Sequence, residues 1–76
     1  MITVKLYGLL RIESGIKEKQ LNARTVKEVL SLLADCGIPG KDLEGCVVLV
    51  NGASAKKQTK LHDGDTVVLM SPVAGG

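Results

Sequence analysis

His62-Asp63-Gly64-Asp65-Thr66-Val67-Val68-Leu69-Met70-Ser71-Pro72-Val73-Ala74-Gly75-Gly76 is the stretch from which the fold of this chain is read. Its first four residues form a turn: glycine accepts a positive φ, and aspartate side chains bond to nearby backbone amides. Thr66 to Met70 then runs apolar and largely β-branched at strand length. A strand with no polar face is unsuited to a wetted edge and belongs inside a sheet. After it, Pro72 interrupts the strand pattern and the side chains shrink to nothing at Gly75 and Gly76. Those two residues reach backbone angles closed to others and can thread a channel too narrow for a side chain. The reactive group left at that end is the α-carboxylate of Gly76, so the carboxylate reads as the functional group and the rest as its handle.

Working backward, Cys46-Val47-Val48-Leu49-Val50 is a second strand apolar on both faces, closed by the tight-turn pair Asn51-Gly52. Ala53 to Lys60 is polar and reads as a loop with at most a short strand. Ile2 to Tyr7 alternates, with Ile2, Val4 and Leu6 facing a core. Gly8 ends it, Leu9-Leu10-Arg11 reads as a loop, and Ser14-Gly15 turns into Ile16 to Leu21. The charged middle of that strand suits a sheet edge. Between these strands lies a helix. Thr25 and Glu28 have the spacing of a capping box, with the Glu28 carboxylate expected on the Thr25 amide. Val26, Val29, Leu30 and Leu33 make one apolar face. Gly37 is the left-handed cap and Pro39 blocks continuation, so residues 39–45 read as a linker.

This order predicts an α+β fold: a mixed sheet of four to five strands with one main helix on one face. The domain spans residues 1–70, and residues 71–76 form a flexible C-terminal tail. One helix covers one face only. With Val48, Val50, Val67 and Leu69 turned to the helix, Val47, Leu49, Val68 and Met70 point outward, and an apolar patch of that kind marks a partner site.

Composition narrows the functional classes. A chain of 76 residues buries only roughly 60% of its unfolded surface, which disfavours a deep pocket or a self-contained enzyme. Its core must be aliphatic, since Phe and Trp are absent and Tyr7 is the one aromatic. The ten basic and eight acidic residues are mixed along the chain, and no aromatics stand ready for bases to stack on, so no nucleic-acid partner is expected. No apolar run approaches the roughly 18 residues of a membrane span, and no signal peptide is visible, so no membrane partner is expected and the location is read as cytoplasmic. Cys36 and Cys46 are too few for a zinc site and read as reduced, buried core thiols, with a disulfide or a reactive thiol as the alternatives. His62 reads as a loop residue, and Asp63-Gly64-Asp65 as a turn with no acid–base role.

The segment from Leu61 to Val67, leading to Ser71-Pro72-Val73-Ala74-Gly75-Gly76, resembles the small sulfur-carrier branch of the ubiquitin-like β-grasp proteins (the MoaD/ThiS family). Within that branch the resemblance is best to the small subunit of molybdopterin synthase, which has a similar Asp-Gly-Asp turn, strand and Pro-Val-x-Gly-Gly ending. Leu10-Arg11 with Glu13 and Gly15 fits the Leu-Arg-Glu stretch of those proteins, with Ile12 inserted. Leu69, Met70 and Ser71 stand where they often carry aromatics. The thiamine sulfur carrier and the small archaeal ubiquitin-like modifiers share much of the same pattern.

The resemblance implies a carrier that is not itself an enzyme. A ubiquitin-activating-type adenylating enzyme, using ATP and magnesium, joins Gly76 to AMP, and a sulfur donor enzyme displaces the AMP to leave a thiocarboxylate. The large subunit of molybdopterin synthase then takes the sulfur. On this reading the chain binds no cofactor or metal itself, Gly76 reacts and Gly75 gives access. Val47, Leu49, Val68, Met70, Pro72 and Val73 contact partners, with Arg11 a further contact. The alternatives are a protein modifier conjugated to lysines through Gly76, a thiamine-type carrier, and a plain interaction module.

Overall fold

The computed structural model of the chain describes residues 1–71; Pro72, Val73, Ala74, Gly75 and Gly76 lie outside the described residues. Five strands form a single mixed sheet: β1 (Ile2–Tyr7), β2 (Glu18–Leu21), β3 (Val47–Val50), β4 (Ala53–Ser54) and β5 (Thr66–Met70), in the order β2-β1-β5-β3-β4. β5 takes the middle place that its two apolar faces require. It pairs parallel to β1 and antiparallel to β3, while β2 and β4 complete antiparallel hairpins at the two edges. This is the expected α+β architecture, with five strands.

The main helix, α2 (Val26–Asp35), crosses the inner face and buries Val26, Val29 and Leu33. They meet Ile2, Val4 and Leu6 of β1 and Val67 and Leu69 of β5 in an all-aliphatic core. Val48 and Val50 pack against the same cluster from β3. Thr25 caps the helix: its hydroxyl accepts from the Glu28 amide at 3.2 Å. The second half of the expected box is displaced by one residue, because Glu28 Oε2 accepts from the Arg24 amide at 3.3 Å and not from that of Thr25. At the other end Gly37 is left-handed at φ 102°. Its amide donates to Ala34 and that of Ile38 to Leu33, a Schellman closure in which Ile38 and Leu33 are both buried.

Two segments differ from the sequence reading. Leu9-Leu10-Arg11 is no loop but the start of α1 (Leu9–Ser14), and the linker at 39–45 contains α3 (Gly40–Glu44). Each is a short helix pinned by one buried leucine, Leu10 in α1 and Leu43 in α3. Segments this short cannot show a 3.6-residue period, and their helicity comes from docking that leucine on the core. The edge strand begins at Glu18 and not at Ile16, and β3 begins at Val47 and not at Cys46.

The Asn51-Gly52 turn has positive φ at both residues, 51° and 86°, the twist a two-residue hairpin needs. Asn51 does more than turn the chain. Its side chain donates to Asp65 Oδ1 at 2.9 Å and accepts from the Thr66 amide at 2.9 Å, tying the β3–β4 turn to the start of β5.

Candidate partner face and the root of the C-terminal segment

Strand register determines what lies on the uncovered side of the sheet, because paired residues share a face. Across β1, β5 and β3, Tyr7 stands beside Met70, and Met70 beside Val47. The next row is Lys5, Val68 and Leu49. The third pairs Thr3 with Thr66. The rows thus grade from apolar to polar, and the apolar end is the end from which the chain leaves β5 toward Ser71. Val47 and Tyr7 are 45% and 43% exposed, and Leu49, Val68 and Met70 are half-buried.

The structure therefore brings Val47, Leu49, Val68 and Met70 together on one face, as the alternation anticipates. It adds Tyr7, whose place follows only from its pairing with Met70. Arg11 is exposed on α1 and shares a shallow hollow with Lys5, Tyr7, Lys17 and Glu18 along the β1–β2 side of the patch. Leu9 and Ile12, on the same short helix, are also exposed, Ile12 by 76%. Glu18 opposite Lys5 and Ser54 opposite Leu49 supply polar margins on the two sides. Pro72, Val73, Gly75 and Gly76, the other residues singled out from the sequence, lie outside the described residues.

At the apolar end of this face, Ser71 Oγ accepts a hydrogen bond from the backbone amide of Leu9 at 2.9 Å. The chain leaving β5 is thereby attached to the first residue of α1. Gly8 sits against the same hydroxyl. No motif in the sequence signals this contact, since the partners are 62 residues apart.

The acidic turn below β5 is structural. Asp65 Oδ2 accepts from the His62 amide at 2.8 Å, and its other oxygen takes the Asn51 bond. Asp63 pairs with the N-terminal amine of Met1. The His62 amide, then the Asn51 side chain, hold the Asp65 carboxyl below the usual carboxylate range. A depressed carboxyl stabilises the fold above its unfolded value of about 3.9 and loses that contribution as pH falls through its lower folded value. Asp65→Ala is expected to lower the midpoint of thermal unfolding at pH 7, with the gap to the parent chain narrowing below about pH 4. Melts recorded from pH 7 to 2 check this; a gap that stays constant to pH 2 would show that the ionised carboxylate contributes nothing.

The cysteines divide. Cys46 is half-buried, its thiol donates to the Leu43 carbonyl at 2.9 Å, and burial pushes its pKa up, away from the thiolate a nucleophile needs. Cys36 is exposed at the C-terminal end of α2, which corrects its reading as a buried core thiol. Among the described residues no group of His, Cys, Asp or Glu is placed to hold a metal ion. No helix among them is long and apolar enough to cross a membrane.

A mixed five-stranded sheet grasping one main helix, with a diglycine beyond its central strand, is the ubiquitin-like β-grasp class. The sequence model of the ThiS family matches residues 4–76, and the chain belongs to that family of ubiquitin-like sulfur carriers. A search of curated proteins by sequence gives no match. Among solved structures, the small archaeal modifier protein 1 of Methanosarcina acetivorans is similar at 26% identity and TM-score 0.82, over 99% of this chain and 95% of that one. A chain of the complex of subunits 1 and 2 of molybdopterin-converting factor from Helicobacter pylori is similar at 26% identity and TM-score 0.72, over 99% and 97%. The BexX/CysO complex of Amycolatopsis orientalis contains a chain 23% identical at TM-score 0.78, aligned over the full length of both, which is a likeness of fold.

Proposed function

We propose that this protein carries sulfur on its C-terminal glycine and serves as the small subunit of a molybdopterin synthase. The observation that carries the reading is the family match, which runs through Gly76. The likeness to a chain of the molybdopterin-converting factor complex supports the finer assignment. The apolar face beside the root of the C-terminal segment supports a carrier that docks on enzymes and presents its end to them.

The chemistry follows from the carboxylate. An ionised carboxylate is a poor electrophile, because its charge repels nucleophiles and oxide is a poor leaving group. A ubiquitin-activating-type enzyme supplies ATP and magnesium: the Gly76 carboxylate attacks the α-phosphorus, forming an acyl-adenylate and releasing pyrophosphate. A sulfur nucleophile from a donor enzyme then forms the C–S bond as the C–O bond to AMP breaks. Transfer from a sulfide species leaves a thiocarboxylate on Gly76, with AMP and a proton released. ATP, magnesium and the catalytic groups belong to the partners. In this chain Gly76 reacts, and Gly75 admits the end to a narrow channel. Pro72 and Val73 contact partners, and Val47, Leu49, Val68 and Met70 dock, with Arg11 at their border.

The likeness to a small archaeal modifier protein favours a second reading, in which the same adenylate is passed to a lysine amine as an isopeptide. Incubation with a ubiquitin-activating-type enzyme from the same organism, ATP, magnesium and sulfide separates the two. The carrier reading expects an intact-mass gain of about 16 Da, oxygen exchanged for sulfur, located at Gly76 by fragmentation. Lysine conjugates without that gain favour the modifier, and an unmodified chain beside a demonstrably active enzyme overturns both.

A further inference from the structure

Ser71 is the last described residue, and its surroundings are more constrained than the first step beyond a strand requires. Its hydroxyl accepts from the Leu9 amide at 2.9 Å, the first amide of α1, which has no other side-chain cap. Gly8 lies against it in a conformation, φ 67° and ψ −142°, that only glycine adopts without strain. A Cβ on Gly8 would stand 2.6 Å from Ser71 Oγ, closer than two such atoms can approach. So one glycine is both turned and emptied to admit one hydroxyl, and that hydroxyl ties the end of β5 to a helix 62 residues away in sequence.

We propose that Ser71 is a positioning residue for the reaction at Gly76: it fixes the point at which the reactive arm leaves the domain. This inference rests on the sulfur-carrier reading above. The arm from Pro72 to Gly76 is five residues long and reaches at most about 18 Å when fully extended. With the bond made, its pivot is Ser71, held beside the Tyr7–Met70–Val47 row. Without the bond, the last tertiary anchor before the arm retreats along β5, and the root of the arm is less closely fixed relative to a docked domain. A reacting end confined near its target has a higher effective concentration, and loss of confinement lowers turnover without touching the docking contacts. Ser71 thereby couples the docking face to the carboxylate.

The test uses the full chain with a ubiquitin-activating-type enzyme from the same organism, following ATP–pyrophosphate exchange as a function of carrier concentration. Ser71→Ala removes only the acceptor oxygen. It is expected to lower kcat about three- to tenfold while KM for the carrier stays within about twofold, and Ser71→Thr, which keeps the hydroxyl, is expected to restore kcat. Amide exchange at Leu9 reads the bond itself and is expected to quicken in Ser71→Ala, with the melting midpoint lowered by a few degrees and the chain still fully folded at the assay temperature. The inference is overturned by unchanged kcat with a faster Leu9 amide, by a Leu9 amide indifferent to the substitution, or by a change in KM alone. A parent chain that is not adenylated at all sinks the carrier reading and this one together. Equal adenylation of parent and variant sinks only this one.

Discussion

A single alanine appended after Gly76 is expected to abolish adenylation and thiocarboxylate formation, a loss of about a thousandfold or more, while the melting midpoint stays unchanged. The appended residue converts the Gly76 carboxylate into an amide and moves the new carboxylate about 3.5 Å along the chain. Attack on the α-phosphorus needs the reacting atoms at about 3–3.5 Å, so a displacement of one residue is comparable to the whole approach distance. The alanine methyl also enters a passage that the two glycines leave free of side chains. Removing Gly75 and Gly76 is expected to give the same loss from the opposite side, by shortening the reach. Pyrophosphate exchange and intact mass measure both variants. An extended chain that is activated as well as the parent would mean that the end of the chain is not where the chemistry occurs.

Val47→Glu is expected to weaken binding to the activating enzyme by about thirtyfold or more, corresponding to about 2 kcal/mol at a central apolar contact. Val47 is the most exposed of the apolar residues Val47, Leu49, Val68 and Met70 on the outer face, so a carboxylate there stays in water in the free protein and leaves the core intact. In the docked complex the same carboxylate must be desolvated without a partner, and the full penalty falls on binding. Ser31→Asp, on the exposed side of α2, provides a matched change of charge away from the sheet and is expected to alter affinity by no more than about twofold. Titration calorimetry or interferometry with the isolated enzyme decides. If Ser31→Asp is the variant that loses binding, the docking surface is the helix side of the domain.

Elements whose pattern repeats within a few residues are legible in the sequence. The double-faced runs 66–70 and 46–50 demanded internal places in a sheet, and the alternation along them separated Val67 and Leu69 from Val68 and Met70. Thr25, Val26, Val29, Leu33 and Gly37 marked one helix with both its ends. The two short helices were not readable, because Leu10 and Leu43 are single apolar anchors with no second turn to establish a period. Cys36 departs from the burial usual for its type because position outweighs residue type: it caps the end of α2, where the side chain meets solvent.

Within the candidate site the division is the same. Alternation in β3 and β5 was enough for Val47, Leu49, Val68 and Met70. Tyr7 joined them only through its register with Met70, and Arg11 found its place at the border through the helix that the sequence concealed.

The sequence by itself determined the main strands, the main helix, and the inward and outward sets of β3 and β5. Each of these is a local periodicity or a local composition, fixed by backbone geometry over a handful of residues. Only the tertiary structure decided that β5 runs between β1 and β3, that Asn51 is bonded to Asp65, and that Ser71 is tied to Leu9 beside Gly8. Those contacts join residues 14 to 62 positions apart, and they form only when the closed sheet brings distant backbone groups within hydrogen-bonding distance.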